Sequence, residues 1–564
     1  MKKTLLFLCI GIIVYACNQP TRQIARGPMA KNGMVSTAHP YATEVGLEIL
    51  KKGGNAFDAS IAVQFALAVV YPRAGNIGGG GLMVSRTADG AFQALDFREK
   101  APGLAFEEMY LDEEGEIIPK LSLAGDLASG VPGSVAGMWQ IHQKFGTLSW
   151  EDLIQPAIDM AENGVALTKG EAESLNRFAE HFNENNEEIT SFEAKDTWKL
   201  GELFVQKELA ETLKRIRDNG PDGFYKGKTA DLIVEQMERG GGIISHTDLE
   251  AYEAIWRDPI EATYKNFRVV SMPPPSSGGI AILQMLKGSE YFDWQAAGHN
   301  SAAAIHYMTE LMRRVYADRA TYLGDPDFYN VPTEMLLDTT YLKNRFSDIK
   351  SDIKTPSEEI KAGEVASIES FETTHFSVTD KMGNAVAITT TINGAYGCKV
   401  IVKGAGFFLN NEMDDFAIKP GVPNQFGLVG AEANAVQPGK RMLSSMTPTI
   451  VEKDGALFAV VGTPGGSTII TAVYQTVMNI LEFDMTMQEA VNAKKIHAQW
   501  LPDLVYVEEG GLDPEIVKEL ESMGHELKTS PILGKMNCIR IGDDGMMEGA
   551  ADTVRSEGTS LGLP

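Results

Sequence analysis

Apolar residues in this chain first gather in one short block, Leu5 to Tyr15, behind Lys2 and Lys3. The block falls short of the ~20 residues a membrane-spanning helix needs, but it has the length and basic flank of a signal-peptide core. Beyond it, residues 42–71 carry apolar positions at helical spacing, with a break at Gly53-Gly54. This predicts two helices, the second capped by Asn55 and running to Val70. Pro132-Gly133-Ser134 opens another helix toward His142, residues 148–260 read as mostly helical, and a further helix covers Ala302 to Tyr322. Residues 346–372 lose all periodicity, are rich in Lys, Ser and Glu, and predict an exposed, mobile segment. Strict alternation then begins. His375 to Thr379 and Ala385 to Thr389 predict a hairpin, with Lys381-Met382-Gly383 as a three-residue loop and Gly383 in its left-handed position. A second strand pair at 447–462 turns at Lys453-Asp454-Gly455 and leads through Thr463-Pro464-Gly465-Gly466-Ser467 into a helix from Thr468 to about Leu481. Strands feeding helices in this way predict a layered α/β or α+β domain.

The 564 residues are 44% apolar and 22% charged, ample for a large core and near the globular norm. The formal net charge is −26, which makes nucleic acid and anionic lipid poor partners. A small anionic substrate is repelled too, so a site for one must concentrate positive charge locally. Val14-Tyr15-Ala16-Cys17 resembles a bacterial lipobox. Residues 1–16 are then a signal peptide and Cys17 is the lipidated first mature residue; the alternative is an ordinary signal cut near Ala16 with Cys17 incidental, and either way the protein is exported to the periplasm or cell envelope. No later stretch reaches about 18 apolar residues, so lipid is the expected sole membrane attachment. Cys398 and Cys538 remain in the body, open to either one bridge or two buried thiols. Neither they nor the nine histidines have metal-ligand spacing, and no metal or other cofactor is expected.

The first hairpin carries a chemical statement. A turn centred on Met382 sets Thr373 opposite Thr391, and facing residues have Cβ atoms about 4.5–5.5 Å apart, so two hydroxyls can meet across the strands. Threonine is also an ordinary strand residue, so the pairing alone is weak evidence. Thr373 stands, however, where a polar segment meets a rigid strand. A threonine hydroxyl needs a base, and the chain has no G-x-S-x-G elbow and no evident His/Asp set. Making threonine the first residue of a new chain supplies one, since an α-amine has a pKa of about 7.7–8.0. Gly465 and Gly466, between a strand and a helix start, suit backbone donors to an oxyanion.

At this point the residues resemble a known family. Thr373-Thr374-His375-Phe376-Ser377-Val378, Thr391-Ile392-Asn393, Leu409-Asn410-Asn411-Glu412-Met413-Asp414-Asp415-Phe416, Leu443-Ser444-Ser445-Met446 and Pro464-Gly465-Gly466-Ser467 are similar to motifs of gamma-glutamyltranspeptidases. So are Gly78-Gly79-Gly80-Gly81, Asp96-Phe97-Arg98-Glu99 and Val131-Pro132-Gly133-Ser134, all in family order. The resemblance implies an α+β N-terminal-nucleophile hydrolase, an αββα sandwich of two stacked sheets between helical layers. It implies self-cleavage between Glu372 and Thr373 into a large subunit, 17–372, and a small subunit, 373–564, that stay together. Thr373 is then the nucleophile, Thr391 its hydroxyl partner, and Gly465 and Gly466 the oxyanion donors. Arg98, Ser444 and Ser445 would hold a substrate α-carboxylate, and Asn393, Glu412 and Asp415, facing that clamp, would hold the α-ammonium. The implied activity is gamma-glutamyl transfer from glutathione and related amides to water, amino acids or dipeptides. Glu412 stands where some bacterial members have glutamine. Pro420 to Ala435 resembles the lid, with Phe426 where some members have tyrosine, so the lid cannot bond Asn393 through that hydroxyl. The rival readings are a glutaryl (cephalosporin) acylase of the same superfamily and a non-catalytic lipoprotein that binds γ-glutamyl peptides.

Overall fold

In the computed structural model, residues 24–187, 191, 192, 197–360, 373–419, 421–425 and 427–564 are described. The lipobox with Cys17, the expected cleavage partner Glu372 and the lid residue Phe426 lie outside them.

Two seven-stranded sheets organise the molecule. The first runs in the order Thr559–Leu563, Gly33–Thr37, Thr374–Asp380, Ala385–Thr391, Gly80–Arg86, Phe92–Phe97, Ile255–Arg257, with every neighbour antiparallel. The second runs Met29–Ala30, Met547–Ala551, Asn537–Ile541, Ala456–Val461, Thr449–Lys453, Phe267–Ser271, Ile260–Tyr264. Alternation explains the stacking. In Ala385–Thr391, every residue is buried. Ala385 and Ala387 join the core shared with the second sheet, while Val386 and Ile388 join the core under the helices Pro40–Lys51 and Ala56–Val70. Helices Gly278–Ser289, Ala302–Tyr322 and Thr468–Glu482 cover the other side with the same core as the second sheet. The expected αββα sandwich is therefore observed.

The local expectations are met by identifiable contacts. Asn55 and Asp58 form a reciprocal capping box at the start of Ala56–Val70, a device of about 1 kcal/mol. Helix Ser134–Phe145 follows Gly133, and Ala302–Tyr322 has the expected bounds. The first hairpin turns through Lys381–Gly383 with Gly383 at φ +92°, and Thr374 pairs with Thr390 and His375 with Thr389. Extended by one position, that register sets Thr373 against Thr391. The second hairpin is tighter than expected. Lys453 pairs with Ala456, so only Asp454 and Gly455 turn, at φ +51° and +82°, the geometry that matches strand twist. Cys398 and Cys538 are both buried free thiols.

One expectation fails in part. The stretch 346–372 was expected to be exposed throughout, yet its first half is docked. Arg313 donates to Thr355 O and to Ser357 Oγ (2.7 Å), Glu310 accepts from Thr355 N, and Ser357 and Ile360 are buried. These anchors come from helix Ala302–Tyr322, so nothing in the local composition announces them.

Candidate active site

Several chain segments end at one edge of the first sheet. Thr373 immediately precedes the strand Thr374–Asp380, Thr391 closes Ala385–Thr391, and Arg98 follows Phe92–Phe97. With Asn393, Glu412, Asp415, Ser444, Ser445 and Gly466 they line one cavity, together with Leu428, Met446 and Ile469. Of the residues singled out for chemistry, only Gly465 is not on the wall, and it precedes Gly466 directly. Thr373 is only 6% exposed.

The Thr391 corner is built by an asparagine the sequence reading missed. Asn76 Nδ2 donates to Thr391 O (2.9 Å) and to Thr390 Oγ1 (3.2 Å), while its Oδ1 accepts from Gly79 N (3.0 Å) and Ser134 Oγ (2.7 Å). The Gly79 carbonyl in turn accepts from Gly133 N and Ser134 N. A Cβ on Gly79 would lie 2.1 Å from Thr391 O, so only glycine permits this approach. The glycine run and the Pro132-Gly133-Ser134 step thus brace the strand end. Thr391 Oγ1 accepts from Asn393 N (2.7 Å), which helps hold Asn393 at φ +68°, a left-handed value asparagine tolerates. Asn393 Nδ2 is spent on Asn411 O (2.9 Å), leaving its amide oxygen to accept from a ligand.

Gly465 and Gly466 take φ +142° and +54° at the entry to Thr468–Glu482. Gly465 O accepts from Thr468 N and Oγ1, so the turn closes on itself. The first-turn N–H groups of a helix lack intrahelical partners, and here they start beside Gly466 and Ile469 on the cavity wall.

Arg98 departs from the expected layout. Instead of facing Glu412 and Asp415 across a gap, it is ion-paired with both, through Nη1 and Nη2 respectively, and lies 3.4 Å from Glu99. One guanidinium therefore meets three carboxylates. Burial pushes the Glu99 carboxyl up to about 7 despite Arg98, and lifts Glu412 well above the carboxylate range; Asp415 is raised for the same reason. The same surplus of negative charge holds Arg98 firmly protonated against the cost of its burial. An ammonium entering this cavity meets ready acceptors.

Two further features were not read from the sequence. The stretch expected to form the lid is held by Asn424, whose Nδ2 donates to Asp415 Oδ1 (3.1 Å), and by Asp414, which accepts from Gln425 N (3.0 Å) and from Ser122 Oγ (2.8 Å). Arg319, buried in the last turn of helix Ala302–Tyr322, donates to Ser445 Oγ (3.3 Å). The local signal for Asn424 was present in Pro423-Asn424, which reads as a turn; its partner Asp415 could not be read locally.

Comparison with known proteins decides the lineage. The family model described as Gamma-glutamyltranspeptidase matches residues 42–562. The chain belongs to the gamma-glutamyltranspeptidase family. Within that family it is 46% identical over 525 residues to the "Glutathione hydrolase proenzyme" of Escherichia coli (strain K12), covering 93% of this chain and 90% of that protein. It is 34% identical to the "Acylase ACY 1 proenzyme" of Pseudomonas sp. (strain SE83), over 94% and 93%. Among solved structures, a cephalosporin acylase from Bacillus halodurans superposes with a TM-score of 0.83 at 25% identity, covering 98% of this chain and 100% of that one. A Helicobacter pylori gamma-glutamyltranspeptidase chain aligns at 44% identity with a TM-score of 0.56, covering 60% of this chain and 96% of its own. This member of the family thus carries the N-terminal-nucleophile sandwich with the family's motifs gathered at one cavity.

Proposed function

We propose that this protein matures by its own chemistry at Glu372-Thr373 and then works as a gamma-glutamyltransferase and glutathione hydrolase with Thr373 as nucleophile. The observation that carries the reading is the convergence of Thr373, Thr391, Arg98, Asn393, Glu412, Asp415, Ser444, Ser445 and Gly466 on one cavity, from segments spread over the whole chain. In the precursor, Thr373 Oγ attacks the preceding carbonyl, an N-to-O acyl shift forms an ester, and water releases it. The freed α-amine becomes the base for its own hydroxyl. Thr373 Oγ then attacks the γ-amide carbonyl of the donor, the amine leaves with a proton, and a γ-glutamyl ester remains for water or an acceptor amine. Thr391 orients the nucleophile, and the N–H groups of Gly465 and Gly466 meet the oxyanion, a contribution of about 3–4 kcal/mol per donor in comparable sites. Arg98, Ser444 and Ser445 receive the α-carboxylate. Asn393, Glu412 and Asp415 receive the ammonium.

The pieces left by cleavage would stay together for a structural reason. Strand Thr374–Asp380, at the head of the small piece, pairs with Gly33–Thr37, and Ala385–Thr391 pairs with Gly80–Arg86, both from the large one. The 60% of this chain matched by the Helicobacter pylori chain is about the share a piece ending at residue 372 would have. The acylase relatives share the scaffold, but a glutaryl group has no ammonium, and the acidic set around Arg98 favours a donor that has one. The direct test is release of the anilide from a γ-glutamyl anilide, with and without glycylglycine. Turnover that glycylglycine accelerates is expected; inactivity of fully matured protein would overturn the reading. For location, the proposal is an exported protein tethered by lipid at Cys17. Cys17→Ser should move it from the membrane to the soluble fraction, and unchanged fractionation would refute the tether.

A further inference from the structure

Three arginines of helix Ala302–Tyr322 are buried, and they are not alike. Arg313 pairs with Glu310 (2.9 Å) and Asp503 (3.0 Å), and Arg314 pairs with Glu310 (2.6 Å) and Asp348 (2.9 Å). Arg319 is 5% exposed, and among the described residues no carboxylate comes within ion-pairing distance of it. Its contacts are hydroxyls: Nε donates to Ser277 Oγ (3.0 Å) and Nη2 to Ser445 Oγ (3.3 Å). Burying a guanidinium without an anion is costly, and the cost shows in its pKa, which burial lowers to about 10. A structural arginine would be expected to resemble its two helix neighbours.

The direction of these bonds is fixed, because arginine only donates. Ser445 Oγ is therefore an acceptor toward Arg319, and its own proton is turned elsewhere. Ser444 is set the same way, its Oγ accepting from Met446 N (3.0 Å). Both serines line the cavity. Two hydroxyls that accept from within the protein and face a common space with their protons unspent make a seat for an anion. Arg319 also braces the loop behind them, since Ser277 Oγ and N both donate to Ser444 O, at 2.7 and 2.8 Å.

We propose that Arg319 is a positioning residue for the donor's α-carboxylate, holding the Ser445 hydroxyl so that its proton points into the cavity and leaving its own buried charge to be completed by the substrate anion. Arg98 already pairs with Glu412 and Asp415 through its two Nη groups, so the carboxylate end gains from a second cation that, among the described residues, touches no acid. Arg319 acts through Ser445 and does not itself line the cavity. The proposal rests on reading that cavity as the γ-glutamyl site.

The test compares two anilide donors, γ-glutamyl and 4-aminobutyryl. The second keeps the ammonium and lacks only the α-carboxylate. KM and kcat are measured on fully matured wild type, R319Q, R319K, S445A and R319Q/S445A. The expected result is that R319Q raises KM for the γ-glutamyl donor about 10- to 100-fold, with kcat changed only a few-fold and the 4-aminobutyryl KM nearly unmoved. R319K should recover part of the loss, and in the double variant the two effects should combine to much less than their product. Equal losses on both donors, fully multiplicative losses, or a γ-glutamyl KM unchanged in R319Q would each overturn the proposal. Should R319Q fail to mature, R319K decides alone: a shift confined to the γ-glutamyl donor supports the role, and equal shifts or none on the two donors overturn it. A wild type that does not prefer the γ-glutamyl donor would instead refute the reading of the cavity.

Discussion

Arg98 has more negative charge around it than one guanidinium can neutralise, and this surplus is the chemical signature of the site. Burial raises the Glu99 and Glu412 carboxyls and so favours their protonated forms. A substrate ammonium would take the place of a proton. The sign of the pH dependence follows. Below about pH 6 Glu99 is more protonated and the ammonium finds less charge; above about pH 8 it finds more. The Ki of L-glutamate as a competitive inhibitor should therefore fall as pH rises through about 7, and Glu99→Gln should flatten the trend; a Ki that rises with pH would contradict this. Asp415 should govern donor choice. Removing one partner of a buried charge pair costs roughly 2–5 kcal/mol, so Asp415→Ala should lose about 30- to several-thousand-fold in kcat/KM for γ-glutamyl donors, and far less for a glutaryl analogue. Equal losses on both would mean that Asp415 only braces Arg98. At this scale the reactive residues were legible because motif order marks them. Their supports were not. Asn76, Asn424 and Arg319 are ordinary turn or helix residues until the fold brings residues 391, 415 and 445 against them.

Two elements, a hairpin and a lid, carry the geometry. The hairpin was readable because its register is local: three turn residues with Gly383 at positive φ set Thr374 on Thr390, and the alternation leaves no other face for Val386 and Ile388. The tighter Asp454-Gly455 turn was misjudged by one residue, since Lys453 can end a strand or begin a loop with equal ease. The lid is the reverse case. Its polar tie was looked for at position 426, opposite Asn393, whereas the described residues place one tie at Asn424 on Asp415 and another from Gln425 N to Asp414. Burial lifts the Asp414 carboxyl to about 7, although Gln425 N and Ser122 both bond it. Asn424→Ala frees Asp415 on one side and removes one of the two described ties of this segment. The expected outcome is a KM for γ-glutamyl donors raised about 3- to 30-fold with kcat little changed, and faster proteolysis within residues 420–430. An unaltered KM would show that the tie does not bear on the substrate.

At the scale of the molecule, the proposed boundary at residue 373 would be chemical and not architectural. Both sheets mix strands from either side of it, with Met29–Ala30 beside Met547–Ala551 in one and Gly33–Thr37 between Thr559–Leu563 and Thr374–Asp380 in the other. A cut there divides the chain without dividing the fold. The layered class was legible from strands feeding helices, but the strand order was not, because each sheet closes on pairings more than 500 residues apart, such as Met29 with Glu548 and Thr37 with Thr559. Contacts 42 and 44 residues apart in sequence dock the first half of the 346–372 stretch on helix Ala302–Tyr322, again beyond what the local pattern shows. The proposed chemistry requires Thr373 to become the first residue of a chain, and it is tested by intact mass with N-terminal sequencing of the purified protein and of Thr373→Ala. Two associated chains are expected in the wild type, the smaller beginning at Thr373, and one uncut, inactive chain in the variant; a small chain beginning at any other residue, or full activity from an uncut chain, would refute Thr373 as the nucleophile.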